Sequence, residues 1–405
     1  MEQRRGAYTC TETEQKPGGG NALNQVINWM GGWPKEGLVA SADWDERLAR
    51  AAAKPADGAA IGGGAAARWE AQGEPRLREQ LAQRLLKGKT GGNARLLTLT
   101  AGADGALAWI LERAAKPGDV VLVERLTSRS ALQTFRRAGL QPLAIAGDRS
   151  GMDPEALTTA LYRYRPKLVY VGWSCTDPEG AAWSAERRQA VRARCQEAGV
   201  WLVTDDRSEL LVYDGLDTEA DRRIEPGVLS IGQLPPGLIS GLRFGWIAGP
   251  AESLRREAAE EDLSPGARRN HALAGEVEQR ALSGLLEEQE LGPLIDMLRV
   301  QCAARMRKLT ELLAGRRVPD LAWTTPKGGI HLWIVLPQGL DGESLLKGAW
   351  LKGLLFQPGG PFYAKDPQSN TLRITHAFAD EKQLKLGVSR LAESIEEFTG
   401  RWSVN

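Results

Sequence analysis

Lysine is absent between Lys167 and Lys308 of this 405-residue chain, which excludes any chemistry that needs a lysine amine in that stretch. Cysteine is rare, with four residues and no CxxC pair, so we predict reduced thiols in a cytoplasmic protein and no metal site. No apolar run approaches the roughly 20 residues of a membrane span, and no membrane role is expected. The formal net charge is only +1, which argues against broad nucleic-acid binding.

The residues that are present alternate regularly between apolar runs and helical stretches after residue 95. Two runs, KLVYVG and VWLVTDD, flank the helical stretch SAERRQAVRARCQEAG and are typical of parallel strands buried on both faces. Two later runs, GVLSIGQL and LRFGWIAGP, are joined by PPGLIS, which is too short for a crossover helix, so they are predicted to be antiparallel neighbours. The pattern therefore predicts an α/β fold with a mixed, mostly parallel sheet flanked by helices.

The composition along the chain predicts four segments. Residues 1–25 are polar and are expected to form a flexible N-terminal arm, and residues 26–65 are expected to contribute to a smaller domain. Residues 66–285 are predicted to form the large α/β domain. Residues 286–405 are predicted to form a small C-terminal α+β domain.

Carboxylates follow the two predicted buried strands KLVYVG and VWLVTDD. Asp177 lies shortly after KLVYVG, and Asp205 and Asp206 end VWLVTDD. Ligands of open α/β sheets bind beyond the carboxyl ends of the strands. We therefore expect these side chains at the mouth of a binding site.

Seven motifs in order resemble the class I/II aminotransferase family of pyridoxal-phosphate enzymes: ARWEAQGEPRLREQLAQRL, LTAGADGALAWILERAAKPGDVVLVE, LVYVGWSCTDPEG, VTDDRSELLVYDG, GLRFGWIAGP, PKGGIHLWIVLP and NTLRITHAF. The chain is most similar to the aminotransferase-like domain of MocR-type regulators and to 2-aminoadipate type aminotransferases. This resemblance implies the fold type I architecture, with a seven-stranded sheet, and a homodimer. No helix-turn-helix region precedes the motifs, so DNA binding is not expected.

The family forms a Schiff base between its cofactor and a lysine, which then moves the substrate proton. The family pattern around that lysine resembles S-x-S-K-x-x-x-P-G-x-R-x-G. With the arginine of this pattern at Arg243, the lysine position falls on Pro236. Proline has no side-chain amine, so the resemblance implies no lysine Schiff base, and pyridoxal phosphate, if it binds, is held another way.

Other cofactor-site positions also depart from the family pattern. Asp177 replaces the asparagine that donates to the cofactor's phenolate oxygen, and two like charges there would cost about 4 kcal/mol at hydrogen-bonding distance with an effective dielectric near 20. The remaining departures are Ser208 for a tyrosine, Ser128 for the aromatic residue that stacks on the ring, Arg68 for a tyrosine of the partner subunit, and the phosphate turn AGADG, which contains Ala103 and Asp104.

Three positions match the family. Asp205 corresponds to the aspartate that holds the ring nitrogen protonated, Arg243 to a phosphate-binding arginine, and Arg373 to the arginine that binds the substrate carboxylate. Structural alternatives stay open for each: Asp205 as a local cap, Arg373 paired with a neighbouring carboxylate, and Arg243 paired internally with Asp104 or Asp177.

These residues predict a catalytically impaired aminotransferase homologue with a ligand-binding or interaction role. Its ligand is expected to be a small carboxylate or phosphate held by Arg243 and Arg373. The alternative is an active aminotransferase that uses non-covalently held pyridoxal phosphate on amino acids. A third hypothesis is a subunit that pairs with a DNA-binding relative.

Overall fold

The computed structural model describes residues 26–31, 37, 39–53, 72–213, 224–239, 241–250, 274–288 and 291–402. The predicted N-terminal arm and Arg68 lie outside these ranges. Within them, no helix is both long enough and apolar enough to cross a bilayer.

The described residues form α-helices and β-strands that alternate through the first half of the chain. The helices are α1 (Ser41–Ala53), α2 (Pro75–Gln80), α3 (Lys87–Thr90), α4 (Gly102–Ala114), α5 (Arg129–Arg137), α6 (Pro154–Tyr164), α7 (Ala185–Glu197), α8 (Glu276–Glu287), α9 (Leu291–Arg316), α10 (Gly342–Leu351) and α11 (Glu381–Trp402). The strands are β1 (Ile27–Asn28), β2 (Leu97–Thr100), β3 (Val120–Glu124), β4 (Gln141–Ile145), β5 (Gly147–Asp148), β6 (Gly151–Met152), β7 (Leu168–Val171), β8 (Trp201–Asp205), β9 (Val228–Gln233), β10 (Gly245–Ala248), β11 (Ala322–Trp323), β12 (His331–Val335), β13 (Leu354–Leu355), β14 (Gln357–Pro358) and β15 (Thr371–Thr375).

A seven-stranded sheet organises the large domain, in the order β2-β10-β9-β8-β7-β3-β4. Strand β10 runs antiparallel to both β2 and β9, whereas the pairs from β9 through β4 are parallel. The predicted mixed, mostly parallel sheet is therefore confirmed. The short connection between β9 and β10 explains the single reversal, because it leaves no room for a crossover helix.

Helices cover both faces of this sheet because its central strands are apolar on both sides. Val121 and Val123 of β3 pack in one buried cluster with Phe135 of α5, and Leu122 packs in another with Val191 of α7. Burying each such side chain contributes about 1.5 to 3 kcal/mol. Helices on both faces thus hold the sheet in place, and the side chains at its carboxyl edge are attached to a rigid element.

The smaller domain is built on a four-stranded antiparallel sheet in the order β11-β12-β15-β14. Ile27 of β1 pairs with Leu354 of β13, while Trp44 of α1 belongs to the large-domain core. Helix α9 is shared, since Ile295 packs with the large-domain core and Leu309 with the small-domain core. The exact domain boundaries stay a prediction.

Candidate functional site

A cleft of about 350 Å³ lies at the carboxyl edge of the large sheet, against the small domain. The starts of α4 and α5, the turns after β8 and β9, and the small-domain sheet all contribute to its wall. The polar residues lining it are Asp104, Ser128, Arg129, Ser130, Gln133, Asp177, Arg207, Ser208, Gln233, Arg243, His331, Gln357 and Arg373. The cleft therefore gathers almost all of the residues that the sequence singled out.

Asp205 ends β8 and is bound by a cation from its own turn. Arg207 Nε lies 2.9 Å from both carboxylate oxygens of Asp205, and Arg207 Nη2 lies 2.6 Å from Oδ2. The Tyr170 hydroxyl also donates to Asp205 Oδ2. Asp205 is only 7% exposed, so this charge is buried and paired at once.

The other end of the Arg207 guanidinium crosses to the two helices opposite. Its Nη1 lies 3.3 Å from Asp104 Oδ1 and 3.2 Å from Ser130 Oγ. Burial lowers the pKa of Arg207, but Asp205 more than offsets this effect, and the pKa stands well above its ordinary value. The guanidinium is therefore permanently charged and links β8 to the starts of α4 and α5.

Arg373, the expected carboxylate-binding residue, is paired with Asp177. Arg373 Nη1 lies 2.5 Å from Asp177 Oδ1, and Nη2 lies 2.6 Å from Gln357 Oε1. Burial raises the pKa of Asp177, but Arg373 more than offsets this effect and lowers the pKa to about 2. Arg373 is thus paired with a neighbouring carboxylate, as the alternative interpretation expected. An incoming carboxylate would compete with Asp177 for the Arg373 guanidinium.

Arg243 lies on the exposed side of the cleft, beside the start of α4. The ion pairs proposed as an alternative for Arg243 are not formed, because Asp104 binds Arg207 and Asp177 binds Arg373. Among the residues that the structure describes, no ion pair of Arg243 is found. Its guanidinium is therefore available to an anion.

The turn AGADG at the start of α4 corresponds to the phosphate turn of the family, and a side chain occupies one of its backbone amides. Gln233 Oε1 accepts a hydrogen bond from Ala103 N at 3.2 Å. Gly102, with φ +75°, and Gly245 hold the turn close to the sheet, since a Cβ on Gly245 would lie 2.7 Å from the Gly102 carbonyl carbon. One of the amides that an anion would use is thus already occupied.

Pro236, Ser208 and Ser128 line the same cleft. Pro236, the position that the resemblance assigns to the lysine, lies in the turn after β9. Ser208 lies beside Gly329, and the Ser128 hydroxyl is 3.0 Å from Ser130 Oγ. No lysine lines the cleft among the residues described.

Asp206, the neighbour of Asp205, turns away from the cleft. Its Oδ2 lies 3.1 Å from Lys89 Nζ and 2.7 Å from Ser230 Oγ, and Lys89 also binds Glu209 at 2.6 Å. We call Lys89, Asp206, Glu209 and Ser230 the Lys89 cluster. Asp206 is therefore placed in a closed structural network rather than at the mouth of the site, where we had expected it.

Glu124 ends β3 and borders a small void next to Asp205 and Arg207. Its carboxylate accepts hydrogen bonds from Gly172 N at 2.9 Å and Trp183 Nε1 at 3.2 Å. Burial raises the pKa of Glu124 to about 8. At neutral pH this side chain therefore holds its proton.

Sequence reasoning missed Arg207, Gln233 and Lys89. The signal for Arg207 was its place two residues after Asp205 in TDDRSE, within reach of that carboxylate. Lys89 binds a carboxylate 117 residues further along the chain, a separation that gives no sequence signal.

Comparisons with known proteins identify the family of this chain. The family described as aminotransferase class I and II matches residues 40–391. The 2-aminoadipate transaminase of Thermus thermophilus is 29% identical over 74% of this chain and 75% of its own. An uncharacterized HTH-type transcriptional regulator of Bacillus subtilis, YdfD, is 25% identical over 82% of this chain and 68% of its own.

Solved structures give the same result. The alpha-aminoadipate aminotransferase LysN of Thermus thermophilus, crystallised with N-(5'-phosphopyridoxyl)-L-leucine, superposes with a TM-score of 0.73 and 25% identity over 94% of each chain. The resemblance found in the seven motifs and the fold expected from it are confirmed. The chain belongs to the class I and II aminotransferase family and has its fold type I architecture.

Proposed function

We propose that this protein is a catalytically impaired member of the family that binds a small carboxylate or phosphate ligand in the cleft. The observation that carries the proposal is Pro236, to which the sequence pattern assigns the position of the family's lysine, and which lines the cleft in a wall whose described residues include no lysine. Acid–base catalysis alone is worth about 10² to 10⁴ in rate, and loss of the positioned amine removes it together with covalent attachment.

The residues present do not fit pyridoxal phosphate in the pose that the family uses. The carboxylate that would hold a protonated ring nitrogen is bound through both oxygens by Arg207. Asp177 brings a negative charge to the place of the phenolate, and Ala103 N is bound by Gln233. We therefore derive no reaction step that uses this cofactor.

The charges of the cleft favour an anion instead. Arg243 is exposed and has no ion-pair partner among the described residues, so an anion binds it without breaking an internal contact. Arg373 offers a second guanidinium once its ligand replaces Asp177 at Nη1. Charge-assisted hydrogen bonds of this kind are roughly twice as strong as neutral ones.

The test combines ligand binding with a search for covalent chemistry. Isothermal titration with inorganic phosphate and with succinate should show binding that falls at least tenfold in Arg243→Ala and is unchanged in Arg137→Ala, an exposed arginine outside the cleft. After incubation with pyridoxal phosphate and borohydride, mass spectrometry should find no adduct within the cleft. Equal binding by both variants, or a stable adduct at a cleft residue, would contradict the proposal.

The second candidate is a working aminotransferase. It is favoured by the retained Asp205 and by the aminotransferases among the relatives. Amine transfer from a panel of amino acids decides between the two candidates. Turnover well above that of pyridoxal phosphate alone supports the enzyme, and turnover equal to that control supports the binding protein.

A further inference from the structure

Asp205 has no hydrogen-bonding capacity left for a ligand. Its Oδ1 accepts from Arg207 N at 3.2 Å and Arg207 Nε at 2.9 Å. Its Oδ2 accepts from Arg207 Nε, from Arg207 Nη2 and from the Tyr170 hydroxyl. A carboxylate offers about four lone-pair sites, and these donors use them all.

Arg207 is also held at its far end, so it is not a loose surface cation. Its Nη1 reaches Asp104 and Ser130, and the side chain is 16% exposed, with part of its surface on the cleft. The guanidinium is planar, permanently charged and tethered two residues from the carboxylate that it binds.

We propose that Arg207 determines the specificity of the cleft by acting as a built-in cation that excludes cationic rings, protonated pyridines among them, from Asp205. A protonated pyridine offers Asp205 one N–H donor, whereas Arg207 offers Nε and Nη2 together. Because Arg207 lies only two residues from Asp205 along the backbone, its effective concentration at the carboxylate is far higher than that of a free ligand. A cationic ring therefore binds only by breaking the pair of Arg207 with Asp205, which leaves the largely buried guanidinium with the longer contact to Asp104 and is unfavourable.

This inference does not depend on the proposed anion-binding function, because it concerns what the cleft rejects. If a chain without Arg207 gains affinity for a pyridine ring, that gain must come through Asp205. The neighbouring Arg129 provides a matched comparison, since it is a second arginine of the cleft wall and no contact with Asp205 is found for it among the described residues.

The experiment measures binding of pyridoxamine phosphate, which needs no lysine, by equilibrium dialysis. Arg207→Ala should bind it at least tenfold more tightly than the unmodified protein, and Arg129→Ala should show no gain. The gain should vanish in the double variant Arg207→Ala/Asp205→Asn. Equal affinity of the unmodified protein and Arg207→Ala, or an equal gain in Arg129→Ala, would overturn the inference.

A second variant guards against failure of Arg207→Ala to fold. Arg207→Gln keeps a donor near Asp205 but removes the charge, and saturating pyridoxamine phosphate should raise its melting temperature by more than that of the unmodified protein, in which only the phosphate of the ligand can bind. An equal rise in both proteins would overturn the inference. A melting temperature that does not respond in Arg207→Gln would equally overturn the inference. If the inference fails but the protein still binds phosphate, the proposed function stands. The proposed function is tested only by phosphate binding and by amine turnover.

Discussion

Asp205 and Asp206 are neighbours in sequence, yet they serve two different regions of the molecule. Asp206 lies in the Lys89 cluster, where the side chains of Asp206 and Lys89 are 5% and 6% exposed. Asp205 is as buried as Asp206, but its partner Arg207 is 16% exposed and borders the cleft. Two adjacent carboxylates thus have two cations, one enclosed and one next to a cavity.

The difference shows which buried charges belong to the fold and which belong to the site. The enclosed pair borders only a void of about 20 Å³, which has room for water but not for a ligand, so its charges act on the stability of the folded chain. The pair at the cleft has a cation that lines a cavity, so on our proposal Arg207 also determines which ligands the cleft rejects. Burial alone does not separate the two roles, whereas the size of the adjoining cavity does, at about 20 Å³ beside Lys89 and about 350 Å³ beside Arg207.

The largest effect is expected from breaking the enclosed pair. Lys89→Met removes the cation that binds Asp206, and we expect the free energy of unfolding to fall by about 3 to 5 kcal/mol, because the carboxylate remains buried. Urea denaturation measures this change. Lys87→Met, at an exposed neighbouring position, is the control and should change stability by no more than about 0.5 kcal/mol. A similar loss in both variants would show that the Lys89 cluster is not the cause.

The pairing of Asp177 with Arg373 should resist mild acid and fail only when the pH approaches 2. The folded-state pKa of Asp177 is lowered from 3.8 to about 2, so its pairing with Arg373 stabilises the protein above pH 4 and is lost as the pH falls towards 2. The loss amounts to about 2 kcal/mol. Unfolding measured between pH 5 and pH 2.5 should show a smaller acid-dependent loss in Asp177→Asn. Asp366→Asn, at an exposed site, should behave like the unmodified protein.

A smaller effect is expected from the neutral partner of Asp205. Tyr170→Phe removes a donor to a buried carboxylate but keeps the edge-to-face contact with Phe135, at 5.2 Å between ring centroids. We expect a loss of about 1.5 kcal/mol in the free energy of unfolding. Thermal denaturation provides the measurement, with Tyr162→Phe, 89% exposed, as a variant expected to change nothing.

The smallest stability effect should come from the exposed arginine of the cleft. Arg243→Ala is expected to alter the free energy of unfolding by less than about 0.5 kcal/mol, since no described residue pairs with it. The same variant should lose anion binding. A large destabilisation with unchanged binding would place Arg243 among the structural charges and would remove the contrast between the two regions.

Local sequence patterns were enough to predict the fold. Apolar runs that alternate with helical stretches predicted the sheet, and the short connection after β9 predicted the reversal of β10. The sequence did not predict that the two halves of α9 pack in different domain cores. Ile295 and Leu309 have similar apolar character and differ only in what they pack against. That information depends on tertiary packing.

The site was predicted in its residues but not in its pairings. Arg243 and Arg373 line the cleft, whereas Asp205 borders a separate small void behind Arg207. The pairing of Arg373 with Asp177 joins residues 196 positions apart, and local pattern contains no sign of it. Arg207 was overlooked because an arginine in a turn is usually a solvated surface residue.

The buried carboxyl group of Glu124 has a consequence for calorimetry. Because its pKa rises from 4.5 to about 8 on folding, this carboxyl group takes up close to one proton when the chain folds at pH 7. That proton comes from the buffer, so the measured enthalpy of unfolding includes the ionisation heat of the buffer species. Scans in bis-Tris and in Tris, neither of which is an anion that could bind Arg243, should therefore give different enthalpies for the same transition, and Glu124→Gln should shift that difference by the contribution of about one proton.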